Sequence, residues 1–221
     1  MTPIEILYLC PELVVCVKPA GILSQAGSSG RANMVSLLEA QLNSTIFPVH
    51  RLDREVGGVM VYARTKDAAG ALSRQIQQGF LEKEYLAAVR GRPEPVQGQL
   101  NDLLFHDRTR NKTYVVDRKR RGVREAKLLY RVLATDGDHS LVQVHLLTGR
   151  THQIRVQFSS RCYPLLGDGR YGGGTGQVQL WSVSLTLDIP GFGRKRFLSV
   201  PEELGGFSPL PAPAPLFFAE K

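Results

Sequence analysis

Apolar and polar positions along the chain change period several times, and each change marks an element. Residues 13–17 are an unbroken apolar run closed by Lys18-Pro19-Ala20-Gly21, which predicts a buried strand stopped by a turn. Residues 27–30 read as a loop, after which Asn33 is placed to cap a short helix over 34–42, with Val35, Leu38 and Leu42 at helical spacing. A polar stretch, residues 50–55, feeds an apolar strand over 59–63. Thr65 then caps a helix over 66–78, with Ala69, Leu72 and Ile76 on one face and Gly79 as its stop.

Further strands are predicted over 85–89, 114–116, 127–134 and 140–147, the last two joined by a turn at Asp136-Gly137-Asp138. Residues 151–160 have helical spacing at Ile154 and Phe158, and residues 167–176, with six glycines, read as an irregular loop. Two closing strands, 178–189 and 196–200, flank Pro190-Gly191. Strands and helices in mixed order, with hairpins and few parallel crossovers, predict an α+β fold on a mixed, mainly antiparallel sheet with flanking helices. The expected division is one domain over residues 1–207 and a Pro-rich tail, 208–221, whose Phe217-Phe218 docks on the body or frays. No internal repeat is present.

With 221 residues, 43% of them hydrophobic, the chain is long enough to bury a full core. It has no apolar run long enough to span a membrane and no signal-peptide pattern at its start, so the expected location is cytoplasmic. Cys10, Cys16 and Cys162 form no CxxC pair, which argues against a disulfide framework, and the five histidines have no cysteine pairs at zinc-ligand spacing.

Charge changes the picture more than composition does. Of the net +8, all is concentrated in residues 108–131, which hold ten basic side chains against Asp117 and Glu125, while the remainder of the chain balances. Such a block suits a polyanion, because each cation that neutralises a phosphate releases condensed counterions. A solvated basic loop has the same composition.

Three segments carry candidate chemistry. His50-Arg51-Leu52-Asp53-Arg54-Glu55 sets an aspartate between arginines in a loop before a strand, where neighbouring cations favour its ionised form. A loop ion-pair cluster is the plainer reading. Residues 147–155, Leu-Thr-Gly-Arg-Thr-His-Gln-Ile-Arg, run from a strand end into a helix start that suits an anion; the plainer reading is a surface turn with Arg155 in a structural salt bridge. In residues 83–91, alternation sends Tyr85, Ala87 and Val89 to one face, where Tyr85 is either packing or a platform for a base.

In their order and spacing these segments resemble the RluA-like pseudouridine synthases, whose pattern runs His-Arg-Leu-Asp, Lys-x-Tyr, Thr-Gly-Arg-Thr-His-Gln-Ile-Arg and Leu-Gly-Asp. The matching residues are 50–53, 83–85, 148–155 and 166–168, and residues 14–21, Val-Val-Cys-Val-Lys-Pro-Ala-Gly, resemble the family's first strand and turn. The resemblance spans roughly residues 13–200. It implies an RNA isomerase that breaks the bond between ribose and uracil N1, turns the base and rejoins it through C5, with no cofactor and no metal.

The resemblance makes Asp53 the essential carboxylate, attacking the uracil ring or the ribose anomeric carbon, or assisting a glycal intermediate. It makes Arg155 the partner that orients Asp53, Tyr85 the ring that stacks on the target base, and Ile154 an apolar wall, in an active-site cleft across the sheet. Arg51 is the residue that fills the stack vacated by a flipped uridine. Arg118, Lys119, Arg120, Arg121 and Arg124 are then expected to contact RNA phosphates without reading sequence. The expected partner is structured RNA, ribosomal or transfer, bound by a monomer.

Three departures stand out: Val56-Gly57-Gly58 where the family has Thr-Ser-Gly, Gln157 where a histidine is common, and Val17 in place of an asparagine. With about a dozen residues before the first core strand, the S4-type domain that many relatives carry is not expected in this sequence. The alternatives are a non-catalytic RNA-binding or chaperone protein that keeps the pocket, and a glycosidase, which lacks a second carboxylate at the site.

Overall fold

The computed structural model describes residues 2–27, 30–189 and 191–211, so Pro190 and Phe217-Phe218 lie outside the described residues. In chain order the elements are β1 (Ile6–Leu9), β2 (Leu13–Lys18), α1 (Met34–Leu42), β3 (Phe47–Pro48), β4 (Gly57–Ala63), α2 (Lys66–Gln78), β5 (Glu82–Arg90), β6 (Gln97–Asp107), β7 (Lys112–Val116), β8 (Val123–Asp136), β9 (His139–Leu146), α3 (Gln153–Ser159), β10 (Leu180–Ile189) and β11 (Gly193–Leu198). The fold is α+β with a mainly antiparallel sheet, as the alternation of hairpins and short helices predicts. The chain divides into two compact units, Met1–Lys83 with Ser182–Val200, and Glu84–Trp181 with the residues from Pro201 onward.

In the first unit the strand order is β1-β2-β4-β10, with β11 on β10 and β3 on β4. Pairings β1–β2, β2–β4, β3–β4 and β10–β11 are all antiparallel. Strands β2 and β4 are buried at every position, which explains why their sequences are continuous apolar runs rather than alternating ones. Leu13, Val15, Val59, Val61, Leu185 and Leu187 form one core with Leu72 of α2. Burial of side chains such as these contributes about 1.5–3 kcal/mol each.

Both helices begin and end where local chemistry dictates. Asn33 Oδ1 accepts from the Ser36 N–H at 3.1 Å, and Thr65 Oγ1 accepts from the Ala68 N–H at 3.1 Å. Asn43 and Gly79 close α1 and α2 in the left-handed conformation. Gln75 fastens α2 to β10 by donating to the Asp188 carbonyl at 2.8 Å and accepting from the Asp188 N–H at 3.0 Å.

The second unit is an antiparallel meander in the order β5-β9-β8-β6-β7. Helix α3 lies against it through Val156, which packs with Leu104, Ala126 and Tyr171. Several elements differ from the sequence expectation. Strand β6, eleven residues long, is absent from that expectation because its polar positions Gln97, Gln99, Asn101 and Asp102 mask the apolar ones. Strands β1 and β3 are likewise additions, and β8 starts at Val123 rather than 127. Helix α3 is shorter than the 151–160 spacing suggests: His152 holds φ 55° and delays the first helical turn to Gln153.

Gly58 shows how tightly the first unit is built. Its φ is +115°, and a Cβ there would stand 2.2 Å from the Ser182 carbonyl oxygen of β10. Gly58→Ala is therefore expected to lower unfolding stability by at least about 2 kcal/mol, from backbone strain plus overpacking. Urea denaturation followed by circular dichroism measures this, and an unchanged midpoint would show that the two backbones can part without loss.

Candidate active site

Asp53 lies in the first unit, half-buried, in the loop that joins β3 to β4. Its position is set by backbone contacts on both sides. Ser24 Oγ donates to the Leu52 carbonyl at 2.8 Å while the Leu52 N–H donates back to Ser24 Oγ at 3.0 Å. The Ser24 carbonyl in turn accepts from the Tyr62 hydroxyl at 2.9 Å, which ties this clamp to β4. On the far side, the Gly21 N–H donates to the Arg54 carbonyl at 2.7 Å, and the Val56 N–H donates to the Asp53 carbonyl at 3.1 Å.

Lys18, at the end of β2, is fully buried. Its ammonium donates to the carbonyls of Pro19 at 2.9 Å, Ile22 at 2.6 Å and Arg54 at 3.1 Å. Three N–H donors meet three carbonyl acceptors, so the buried charge is solvated by backbone instead of water. Burial draws its pKa down to about 8, against the opposing pull of Asp53 and Glu55. In the sequence Lys18 is visible only as part of a turn motif. Its acceptors lie 1, 4 and 36 residues away, and the longest of these links, to Arg54, is the one that holds the aspartate loop.

His50, at the start of that loop, accepts at Nε2 from the Val61 N–H at 3.1 Å, so Nδ1 carries the ring proton. Burial, with Lys83 adding to it, holds His50 well below its ordinary pKa and keeps the ring neutral. Arg51 is exposed, and Arg54 pairs with Glu55 at 3.2 Å on the surface.

The second unit holds the other expected site residues. Tyr85 lies on β5 opposite Val144 and is only 5% exposed. Ile154 and Arg155 lie in the first turn of α3 and are both buried. The segment that leads into α3 is organised by Gln153, whose Oε1 accepts from the Thr148 hydroxyl at 2.9 Å and the Arg150 N–H at 3.0 Å. Its Nε2 donates to the Lys127 carbonyl at 3.1 Å.

Arg155 forms a fork with Asp168, Nε to Oδ2 at 2.6 Å and Nη2 to Oδ1 at 2.8 Å. The structural salt bridge of the plainer reading thus exists, and its carboxylate is the aspartate of the Leu-Gly-Asp motif. The guanidinium carbon stands 5.2 Å from the centre of the Tyr171 ring. Tyr171 is itself held: its hydroxyl accepts from the Thr113 N–H at 2.8 Å and meets His152 Nδ1 at 2.9 Å.

Asp168 can reach Arg155 because the glycine loop folds tightly. A Cβ on Gly173 would lie 1.6 Å from the Leu165 carbonyl oxygen, and one on Gly167, at φ +73°, would lie 2.0 Å from that of Gln177. Asp168 and Tyr171 are not among the expected site residues. The glycine-rich composition around them is the signal that points to them.

The basic block is carried by the bends of the β6-β7-β8 meander. Arg118, Lys119, Arg120, Arg121 and Arg124 are exposed. Lys119 pairs with Glu125 at 2.6 Å, and the Arg120 guanidinium lies 5.1 Å from the centre of the Phe105 ring. Two arginines outside the block in sequence join it in space. Arg150 Nε donates to the Glu125 carbonyl at 2.8 Å, and Arg170 Nη1 donates to that of Asn111 at 2.7 Å. Helix α3, which follows the Thr148–His152 segment, has seven residues, and its N-cap His152 makes no side-chain capping bond.

These features define a pseudouridine synthase fold with its motif residues in place. The human RNA Pseudouridylate Synthase Domain Containing 4 structure has the same fold, with a TM-score of 0.73 at 24% identity over 90% of this chain and 88% of that one. At the level of sequence, residues 12–160 match the RNA pseudouridylate synthase family model, and the chain belongs to that family. It is 31% identical to Ribosomal large subunit pseudouridine synthase D of Borreliella burgdorferi, over 89% of this chain and 65% of that protein. It is 40% identical to an uncharacterized RNA pseudouridine synthase of Chloroflexus aurantiacus, over 70% of this chain and 50% of that protein. The chain thus spans between half and two thirds of the length of these relatives.

Among the described residues no helix is long and apolar enough to cross a membrane.

Lys18→Met keeps the aliphatic stem and removes the ammonium, which leaves the carbonyls of Pro19, Ile22 and Arg54 without their shared donor. Each such loss costs about 1–3 kcal/mol, so a total loss of roughly 3 kcal/mol or more in unfolding stability is expected. Thermal and urea melts read this directly, and a variant as stable as the parent would remove Lys18 from its place as the anchor of the loop.

Proposed function

We propose that this protein isomerises uridine to pseudouridine in structured RNA, with Asp53 as the essential carboxylate. One observation carries the reading: in a chain of the RNA pseudouridylate synthase family, the aspartate of His50-Arg51-Leu52-Asp53 sits in a loop fixed at Leu52 by Ser24 and at Arg54 by the buried Lys18 ammonium. A carboxylate so held meets its substrate without first having to be ordered.

The reaction breaks the C1′–N1 bond, turns the uracil and forms a C1′–C5 bond, and the proton that leaves C5 is balanced by one gained at N1. No electron leaves the substrate and no water is consumed, so side chains alone suffice. Asp53 assists the cleavage and the rejoining. Tyr85 stacks on the base, Ile154 supplies an apolar wall, and Arg155 supplies positive charge that favours an ionised carboxylate. The target uridine must leave its helix to react, and Arg51 occupies the space it vacates.

Arg118, Lys119, Arg120, Arg121 and Arg124 bind RNA phosphates and raise affinity without reading bases. Of these, Arg118, Arg121 and Arg124 carry no ion pair among the described residues, which leaves their charge available to a polyanion. Ribosomal RNA is the favoured substrate, because a relative of this chain is named for the large ribosomal subunit.

Asp53→Asn is expected to abolish pseudouridine formation while RNA binding stays within about threefold, since a single uncharged loop residue adds little to a phosphate-dominated affinity. Pseudouridine mapping by carbodiimide-primed sequencing, with and without the protein, identifies the target, and product at wild-type levels from the variant would sink the assignment. Replacing Arg118, Arg121 and Arg124 by glutamine should flatten the plot of log affinity against log salt by about 0.7–0.9 for each phosphate left without its cation. An unchanged slope would place RNA elsewhere on the surface.

A further inference from the structure

We infer that His50 is a positioning residue for Asp53, acting as a fixed hydrogen-bond acceptor that closes a break in the sheet, and not as an acid or base. The inference rests on Asp53 being the catalytic carboxylate. Strand β2 pairs with β4 along its length, from Leu13 opposite Ala63 to Lys18 opposite Gly58. The β3 pairing, Phe47 with Ala63 and Pro48 with Tyr62, must therefore occupy the other edge of β4. That edge also meets β10, where the Ser182 hydroxyl donates to the Val59 carbonyl at 3.1 Å and Gly58 lies against the Ser182 backbone.

Val61 falls in the gap between these two contacts. The chain departs from β4 after Pro48, so the Val61 N–H, one residue before the β3 pairing at Tyr62, needs another acceptor. His50 Nε2 takes that N–H at 3.1 Å in place of a strand carbonyl. A backbone N–H buried without an acceptor costs about 1–3 kcal/mol, so the ring is strongly held there. The Nδ1 atom is buried and has no hydrogen-bond partner, which leaves the ring without a second contact through which to pass a proton.

The consequence falls on the loop. His50 is three residues before Asp53, and after it the next fixed points of the backbone are Leu52, through Ser24, and Arg54, through Lys18. The imidazole thus sets where the loop leaves the sheet, and the other two contacts set where it goes. Removing the first point frees Arg51 and shifts the origin of the segment that carries the carboxylate, while the RNA-binding surface of the other unit is untouched.

The test compares His50→Ala, His50→Asn and His50→Gln. Glutamine places Oε1 at the same distance along the side chain as Nε2, so it can accept from Val61. Asparagine is too short, and neither amide titrates as histidine does. On uridine in the RNA target, the alanine and asparagine variants are expected to lose about ten- to a hundredfold in kcat, as expected for an ångström-scale displacement of a reacting group. KM should stay within threefold, and the glutamine variant should retain kcat within about threefold of wild type.

A glutamine variant as impaired as alanine would overturn the inference, because it would mean that the ring moves a proton. So would an alanine variant with wild-type kcat. Hydrogen exchange gives a readout free of activity: amides over residues 49–61 should exchange faster in the alanine and asparagine variants but not in glutamine, with α2 unchanged. Equal protection in all of them removes His50 from its structural place. If the wild-type protein makes no pseudouridine on any RNA, the isomerase reading fails, and the exchange experiment still decides whether His50 holds the loop. Should the alanine variant not fold, asparagine against glutamine carries the comparison.

Discussion

A carboxylate presented from a loop is only as well placed as the backbone that carries it, and here the backbone is anchored by a charge buried to zero exposure. The Lys18 ammonium gives its three protons to the carbonyls of Pro19, Ile22 and Arg54. An ionised lysine in an apolar interior is unstable unless solvated, and the protein solvates it with the very segments that must be brought together. The turn after β2 and the loop around Asp53 therefore cannot separate without stripping the ammonium of its acceptors. Ser24, with its reciprocal bonds to Leu52, and His50, on the Val61 N–H, work within the frame that Lys18 fixes.

The second unit solves the same problem for another buried cation. Arg155 is 3% exposed and is matched by the fork to Asp168, with the Tyr171 ring beside the guanidinium. That arrangement needs a loop that turns sharply enough to return Asp168 to α3, which is why residues with no Cβ stand at 167 and 173. Tyr171 in turn draws in Thr113 from β7 and His152 from the start of α3, so the meander and the helix share one polar network. The glycines, the aspartate and the tyrosine are one device, spread over a stretch that reads in sequence as an unstructured loop.

What is legible in the sequence follows the range of the interactions. Helices α1 and α2 are where spacing and capping put them, because Asn33 and Thr65 bond only three residues ahead. Strands β2 and β4 announce themselves as apolar runs because both faces are covered. Strand β6 does not, since its stability comes from β7 and β8 on either side, and exposed positions along it are free to be polar. The motif strings name the candidate site residues but not the contacts that support them. Ser24 reaches Leu52 across 28 residues and Thr113 reaches Tyr171 across 58, distances over which no local pattern carries information.

The departures from the family pattern can be weighed by the same contacts. Of Val56-Gly57-Gly58, Gly58 is the position at which the backbone of β10 permits no side chain, and it is retained. Val56 is 2% exposed and gives its N–H to the Asp53 carbonyl, a bond that any non-proline residue can make, so the loss of a hydroxyl there leaves the loop's geometry in place. Gln157, in the position where histidine is common, donates through Nε2 to Asp102 at 2.7 Å, and Arg161 grips the same carboxylate at 2.9 and 3.1 Å. That cluster ties α3 to β6 through a carboxylate other than Arg155's partner, and an amide serves it as well as an imidazole N–H would. At Val56 and Gln157 the contact is kept by a donor of the right reach, and neither residue takes part in the bonds that fix Leu52, Arg54 or Asp168.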